Sequence, residues 1–284
     1  MKKVALFLFL LPSIAYSQQE RQLLLYNVGM GAVTSGIGAV INKPKKADWK
    51  KHFLKGFWQG SIGGLLNYTG KKSVYLVNKK ENIVNAWPSK ILTSAGTSIM
   101  ENAALNEPFF QNWNFDYGIF RIDFSINNKR KFKIRLTPQS LFAIYSSIED
   151  DSQFDLKSSL ITGNLIFKAN NEWIVLNNTL NIGLAHGRSF TYVDNGLKYE
   201  TMAHELVHLY QYREYLIFNT WIQPALTKME QNKVLKDFLK YVYPDIPYYF
   251  GFYHLQGRHT GFNAYKNFYE FEAARMATNR YIFR

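Results

Sequence analysis

The sequence contains no cysteine. No disulfide can therefore form, no thiolate can act as a nucleophile, and any metal site must use histidine and carboxylate ligands. The chain also lacks the G-x-S-x-G motif of serine hydrolases and the Gly-Lys-Ser/Thr ending of a phosphate-binding glycine loop. These absences exclude several common kinds of active site and direct attention to the histidines and acidic residues.

Acidic residues are scarce relative to basic ones, at 21 against 34, and the net charge is +13. Such an excess can favour anionic membranes or nucleic acid. Residues 1–17, "MKKVALFLFLLPSIAYS", combine two lysines, an apolar run and small residues before Gln18, which is typical of a secretory signal peptide. We therefore expect an exported protein, periplasmic, outer-envelope or secreted, with no nucleic-acid partner and with membrane-surface association left open.

Two glycine-rich segments dominate residues 18–110. Residues 23–41 carry no charge and contain several glycines, and a second cluster at residues 56–64 has about helical spacing. This pattern predicts two helices packed closely through glycine faces, either as a membrane hairpin or inside a soluble domain. The soluble alternative is favoured because the second segment is too short to span about 30 Å of hydrocarbon.

Residues 111–196 are predicted to be rich in β-structure. The segments "YGIFRIDFSI", "KFKIRLTP" and "SLFAIYSSI" alternate apolar and polar residues, and Asn127-Asn128 is suited to a turn between the first two. From residue 197 to 284 the period is helical, with helices expected at 199–218, 225–243 and 265–281, a break at Pro224, and an aromatic loop before the last helix. The expected fold class is α+β, with a central antiparallel β region and a C-terminal zincin-like helical unit.

The stretch "TMAHELVHLYQ" places His204 and His208 four residues apart, on either side of Glu205. On a helix such histidines lie one turn apart on the same face and can bind one Zn²⁺ ion. Glu205, at the edge of that face, can act as a general base without binding the metal. Burying two histidines and a glutamate is costly unless a cation compensates them, which favours a metal site over inert core histidines.

A catalytic zinc requires a third protein ligand, and the candidates lie in the last helix, "NFYEFEAARMATNR". Glu270 shares its face with Ala273, Ala274 and Ala277, a stripe of small residues that permits close approach to the histidine helix. Glu272 points to nearly the opposite side and is interpreted as solvated or ion-paired. Glu270 is the predicted ligand, with Glu272 as the alternative.

"HELVH" followed by a later helix bearing "EFEAA" resembles the gluzincin metallopeptidases, particularly the group of CAAX prenyl endopeptidases and related membrane-associated or periplasmic proteases. The resemblance covers only the last third of the chain. It implies His204, His208 and Glu270 as zinc ligands and Glu205 as catalytic base. Ala274 stands where the family usually has an aspartate that orients a ligand histidine.

Other polar residues could complete such a site. Gln211, one turn beyond His208, could replace the missing aspartate or could be an ordinary surface residue. His186 lies before the motif helix, where an edge strand lining a substrate is expected. The oxyanion formed in peptide hydrolysis needs a donor, and the candidates lie just before the Glu270 helix: Tyr253, His254, Arg258 and His259.

Together these features predict an exported zinc metallopeptidase acting on a peptide or protein substrate. The alternative is a non-enzymatic envelope or membrane-associated protein with a structural or degenerate metal site. An open fourth ligand position would favour the first, and a site sealed by aromatic side chains the second.

Overall fold

The computed structural model describes residues 18–126, 132–172, 174–176, 179–260 and 266–279. The predicted signal peptide and the Asn127-Asn128 turn lie outside these ranges. The fold is α+β, with helices at both ends of the chain and small sheets in the middle, as predicted.

The N-terminal helices α1 (Gln18–Ile41) and α2 (Trp49–Ser73) pack at backbone contact distance. A Cβ atom on Gly31 would lie 2.3 Å from the Gly60 carbonyl oxygen, and one on Gly64 would lie 2.2 Å from the Asn27 carbonyl oxygen. Only glycine permits this approach, so the predicted glycine-faced packing is present. Within the described ranges, α1 is the one helix long and apolar enough to cross a membrane, and half of its most apolar window is buried against the rest of the fold.

A short helix α3 (Tyr75–Lys79) and a 3₁₀ turn (Ile83–Ala86) lead from α2 into α4 (Trp87–Ala104). Helix α4 also approaches α2 through glycine, because a Cβ atom on Gly96 would lie 2.6 Å from the Gly63 carbonyl oxygen. The first half of the fold is therefore a layer of helices joined by small residues.

Three small sheets follow in the described part of the chain. The first is an antiparallel meander, and the second has the order β4-β5-β9-β8 with a parallel pair, β5 and β9, in its middle. Strands β6 and β7 form a separate hairpin. The strands are β1 (Asn112–Tyr117), β2 (Phe120–Ser125), β3 (Phe132–Leu136), β4 (Ser152–Phe154), β5 (Leu165–Ala169), β6 (Ile174–Leu176), β7 (Thr179–Asn181), β8 (Gly183–Ala185) and β9 (Ser189–Tyr192).

Two helices interrupt this region, and one of them corrects a prediction. The segment "SLFAIYSSI", expected to be a strand, lies in helix α5 (Pro138–Glu149). Proline at the first helical turn favours a helix start, and the apolar residues of the segment fit a helical repeat as well as an alternating one. The second helix, α6 (Leu156–Thr162), begins at Asp155, whose side chain accepts a hydrogen bond from the Ser158 amide.

The C-terminal helices are α7 (Lys198–Tyr215), α8 (Gln223–Met229), α9 (Lys233–Tyr241), α10 (Tyr248–Thr260) and α11 (Phe268–Thr278), with a 3₁₀ segment (Leu216–Ile222) after α7. Two predictions here were wrong. Pro224 lies in the first turn of α8 rather than in a break, and the chain breaks instead before Asn232, whose side chain caps α9. The predicted aromatic loop is helix α10, because its aromatic residues pack on α7 and α11.

Helix α7 runs through the interior, and all but one of its residues from Thr201 to Tyr215 are buried. The largest apolar cluster of the described residues packs around it with side chains from the N-terminal helices, the four-stranded sheet and α11, including Leu23, Tyr68, Ile166, Phe190 and Phe271. The histidine motif is therefore carried by a helix of the hydrophobic core.

Candidate metal centre

The two helices that carry the site are held by local sequence and by packing. Helix α11 begins at Asn267, whose side chain accepts a hydrogen bond from the Tyr269 amide, and ends at Asn279 in the left-handed conformation. Ala273 and Ala277, part of the predicted small-residue stripe, are buried in the cluster that surrounds α7. This close contact brings the first turn of α11, with Glu270, over the histidine face of α7.

His204, His208 and Glu270 converge as predicted, with one potential ligand atom from each within 4.8 Å of the others. The Nε2 atoms of the two histidines are 3.1 Å apart. Glu270 Oε2 is 3.1 Å from His204 Nε2, and Glu270 Oε1 is 3.4 Å from His208 Nε2. The two imidazole nitrogens and the two carboxylate oxygens therefore form a compact cluster contributed by two helices that are distant in sequence.

These distances can be compared with those of a tetrahedral zinc site. With metal–ligand distances of about 2.0–2.1 Å, two ligand atoms of a tetrahedral centre are about 3.3–3.4 Å apart. The two histidine nitrogens, and each histidine nitrogen with its nearer Glu270 oxygen, are 3.1 to 3.4 Å apart, which is close to this value. Two imidazoles and one carboxylate are also a common donor set for catalytic zinc. The residues therefore suit a zinc ion in donor type and in approximate spacing.

The protonation of His208 is decided by its neighbour Gln211. The Gln211 amide nitrogen donates to the Tyr269 carbonyl oxygen and to Glu272 Oε2, so its oxygen faces His208 Nδ1, 2.8 Å away. Since that oxygen can only accept, His208 Nδ1 carries a proton, and Nε2, which faces Glu270 and His204, is the nitrogen that a metal ion would take in place of a proton. Gln211 is only 1 % exposed, so it is not a surface residue. Its hydrogen bond holds the His208 ring in position, which is the role in which the sequence suggested that Gln211 could replace the missing aspartate.

Tyr249 adds a second polar contact on this side, 3.2 Å from His208 Nδ1. Its hydroxyl donates to the Gln211 oxygen at 3.0 Å. Tyr249 was not among the predicted site residues. It lies in the segment predicted to be a loop, and nothing in the spacing of "YYFGFYH" connects this tyrosine with the histidine motif. The contact depends entirely on how α10 packs against α7.

Glu270 is fixed by Tyr253, whose hydroxyl donates to Glu270 Oε1 at 2.9 Å. Burial by itself would raise the pKa of the Glu270 carboxyl, but positive charge on His208 and hydrogen bonds with both histidines hold that pKa well below its usual range. In the metal-free site, burial opposes protonation of His208, whereas the nearby Glu270 carboxylate raises the pKa of His208 to about 9. The carboxylate is therefore ionised and available to a cation.

Glu272, the alternative ligand, faces away from the triad and is fully buried. Its carboxylate is 3.0 Å from Lys71 Nζ, which also contacts Glu214 at 2.8 Å. Asn27 donates to the other Glu272 oxygen at 2.7 Å. Glu272 is therefore ion-paired but not solvated, and it joins α11 to the glycine helices. In the sequence, Lys71 follows the glycines of α2 at helical spacing, and it therefore lies on the same buried face as Gly60 and Gly64. This spacing is the sequence signal that could have indicated the burial of Lys71.

Glu205 is buried beside strand β8, at the edge of the four-stranded sheet. A Cβ atom on Gly183 would lie 2.5 Å from Glu205 Oε1, so glycine at this position leaves room for the carboxylate. Burial raises the pKa of Glu205, and the charges of His204, His208 and Glu270 also act on it. The carboxylate thus lies within electrostatic reach of the triad.

The remaining candidates lie outside this contact network. His254, Arg258 and His259 are exposed on α10, and Arg258 Nε is 3.1 Å from His254 Nε2. His186 directly follows the edge strand β8, as expected, but its ring lies 2.9 Å from Asp150 Oδ2. Of the four oxyanion candidates, Tyr253 is the one in contact with the triad within the described residues.

Comparison with protein-family models, with curated proteins and with solved structures finds no match. The function therefore has to be inferred from the residues of the site and their geometry.

Proposed function

We propose that the protein is an exported zinc metallopeptidase, with His204, His208 and Glu270 as metal ligands and Glu205 as general base. The supporting observation is the convergence of the three side chains, with one potential ligand atom from each within 4.8 Å of the others and nearest contacts of 3.1 to 3.4 Å. A zinc ion held there polarises a peptide carbonyl and lowers the pKa of water.

The chain's own residues supply the proton transfer in this proposal. Glu205 accepts a proton from the attacking water and delivers it to the leaving amine. Burial raises its pKa above the usual value, which is the direction required of a group that must first accept and then donate a proton. Tyr253 orients Glu270 through its 2.9 Å hydrogen bond, and Gln211 orients His208.

Access to the site favours a catalytic role over a purely structural one. The side chains of His204 and Glu270 are 26 % and 20 % exposed, whereas that of His208 is 7 % exposed. Solvent and substrate can therefore reach the His204 side of the triad. In the described part of the chain, strand β8 pairs only with β9, so its other edge, beside Glu205, is where an extended peptide substrate would add as a further strand in this proposal.

The test is Glu205→Gln, which removes the base but none of the ligands. We expect the variant to bind zinc with the stoichiometry of the unaltered protein and to lose peptide hydrolysis by about 10²–10⁴-fold. Glu200→Gln, in the first turn of the same helix, is the matched control and should retain activity. Metal analysis and mass-spectrometric digestion of a peptide library are the measurements. Undiminished turnover in Glu205→Gln, or absence of zinc from the unaltered protein, would refute the proposal.

A second candidate is membrane-surface association, with the metal site in a structural role. The observation that favours it is on helix α2, where Trp49, Leu54 and Trp58 are 54 %, 55 % and 40 % exposed next to Lys50 and Lys51. Exposed tryptophan and lysine together suit an anionic lipid surface. Co-sedimentation with anionic vesicles but not with neutral ones is expected, and its abolition by Trp58→Ser would support this surface.

A further inference from the structure

A second polar site lies on the other side of α7 from the metal ligands. Arg213 and Tyr210 project there, and they line a cavity of about 30 Å³ together with Lys90, Asp116 and Arg188. These residues come from α4, β1, the turn before β9, and α7. The cavity is thus lined by elements that are distant in sequence, and none of its lining residues contributes to the triad.

Several buried polar atoms around this cavity have no hydrogen-bond partner. The unpartnered donors are Asn164 Nδ2, Arg188 Nη2, Tyr210 OH and Arg213 Nε, and the unpartnered acceptor is Asp116 Oδ1. Arg188, Tyr210 and Arg213 are more than nine-tenths buried. Buried donors are nearly always satisfied by protein, water or an ion. The excess of donors over acceptors favours a ligand that accepts hydrogen bonds and donates none.

The charges around the cavity do not balance. Arg188 contacts Asp245 and lies 3.0 Å from Asp116 Oδ2, and Arg213 Nε lies 3.5 Å from the same Asp116 oxygen. Lys90 Nζ contacts only neutral oxygens in the described residues: Thr162 O at 2.8 Å, Gly163 O at 2.7 Å and Asn164 Oδ1 at 3.0 Å. When Lys90 is protonated, three basic groups therefore face the two carboxylates of Asp116 and Asp245.

An unbalanced charge in the interior is costly, because burial removes the hydration that stabilises it in water. The positive charge of Lys90 is destabilised in this way, because burial and the neighbouring Arg213 lower the pKa of its ammonium group to about 7. Arg213 behaves in the same way, because burial outweighs the attraction of Asp116 and lowers its pKa. A bound anion would remove both penalties.

The cavity has room for a small ion. Its volume of about 30 Å³ exceeds the roughly 10–15 Å³ that one water molecule needs. A halide ion, which accepts hydrogen bonds and donates none, fits this space and matches the unpartnered donors. We propose that the cavity binds a chloride ion, held by Arg188, Arg213 and the Tyr210 hydroxyl. The ion joins the turn before β9 to helix α7, and so stabilises the element that carries the metal ligands.

Crystals grown in bromide provide the direct test. We expect an anomalous bromide peak in this cavity, within hydrogen-bond distance of Arg213 Nε and Arg188 Nη2. A cavity that contains only water, with bromide bound elsewhere on the surface, would overturn the proposal. This measurement requires no variant and is independent of whether the protein hydrolyses peptides.

Thermal unfolding provides the second test. At constant ionic strength, replacing gluconate by chloride should raise the unfolding midpoint in a saturable manner, because the ion binds the folded state alone. Arg213→Met should abolish this shift. Arg135→Met removes an arginine that pairs with Asp123 instead, and should preserve it. Equal midpoints in chloride and gluconate for the unaltered protein would contradict the proposal.

Discussion

Gln211 offers the sharpest test of how the metal centre is oriented. Its oxygen lies 2.8 Å from His208 Nδ1 and fixes the proton there, so that Nε2 is free to bind a cation. In Gln211→Leu this acceptor is absent, and His208 can turn or change tautomer. Loss of such an orienting group typically weakens metal binding by about 10–100-fold. This corresponds to about 1.4–2.7 kcal/mol of binding free energy.

The substitution also removes a donor to Glu272 and will lower stability, so a matched control is needed. Asn27→Ala removes a different donor to the same carboxylate, at 2.7 Å, without contacting His208. Both variants should unfold at lower denaturant concentration when metal-free. Only Gln211→Leu should bind zinc more weakly, as measured by competition with a chelator of known affinity. Unchanged zinc affinity in Gln211→Leu, or an equal loss in Asn27→Ala, would refute the orienting role.

Two further predictions concern stability. Gly31→Ala should lower the free energy of unfolding by about 1–3 kcal/mol, because its Cβ would meet a carbonyl oxygen of α2. Gly29 faces open space, so Gly29→Ala should be neutral or stabilising by up to about 1 kcal/mol. Urea unfolding of both variants measures this difference, and equal effects would contradict the prediction. Burial opposes ionisation of Asp123, but Arg121 and Arg135 lower the pKa of its carboxyl below the usual value. The charge of Asp123 therefore stabilises the fold at pH values above about 4. This stabilisation is lost as the pH falls through the lowered pKa. Asp123→Asn should therefore cost about 1–3 kcal/mol at pH 6 and progressively less below pH 4, and a difference that does not shrink on acidification would contradict this account.

Patterns with a local physical origin were predicted correctly. The glycine faces of α1 and α2 follow from helical spacing, and the packing of those helices is as close as that spacing indicates. The assignment of "SLFAIYSSI" to a strand was wrong because a short apolar segment fits both periods, and only its packing decides between them. The aromatic segment of α10 was misassigned for a similar reason, since its helix is stabilised by contact with α7 rather than by its own residues.

The amino-acid sequence by itself determined that His204 and His208 share one helical face, because a separation of four residues in an α-helix allows no other arrangement. It also indicated Glu270, through the alanines that follow it. The sequence likewise offered Gln211, one turn beyond His208 on the same helix, as a possible partner of that histidine. Tertiary structure alone decided the other partners: Tyr249 for His208, Tyr253 for Glu270, and Lys71 for Glu272. These three contacts join residues on separate helices, and their geometry depends on packing angles that no local pattern of residues specifies.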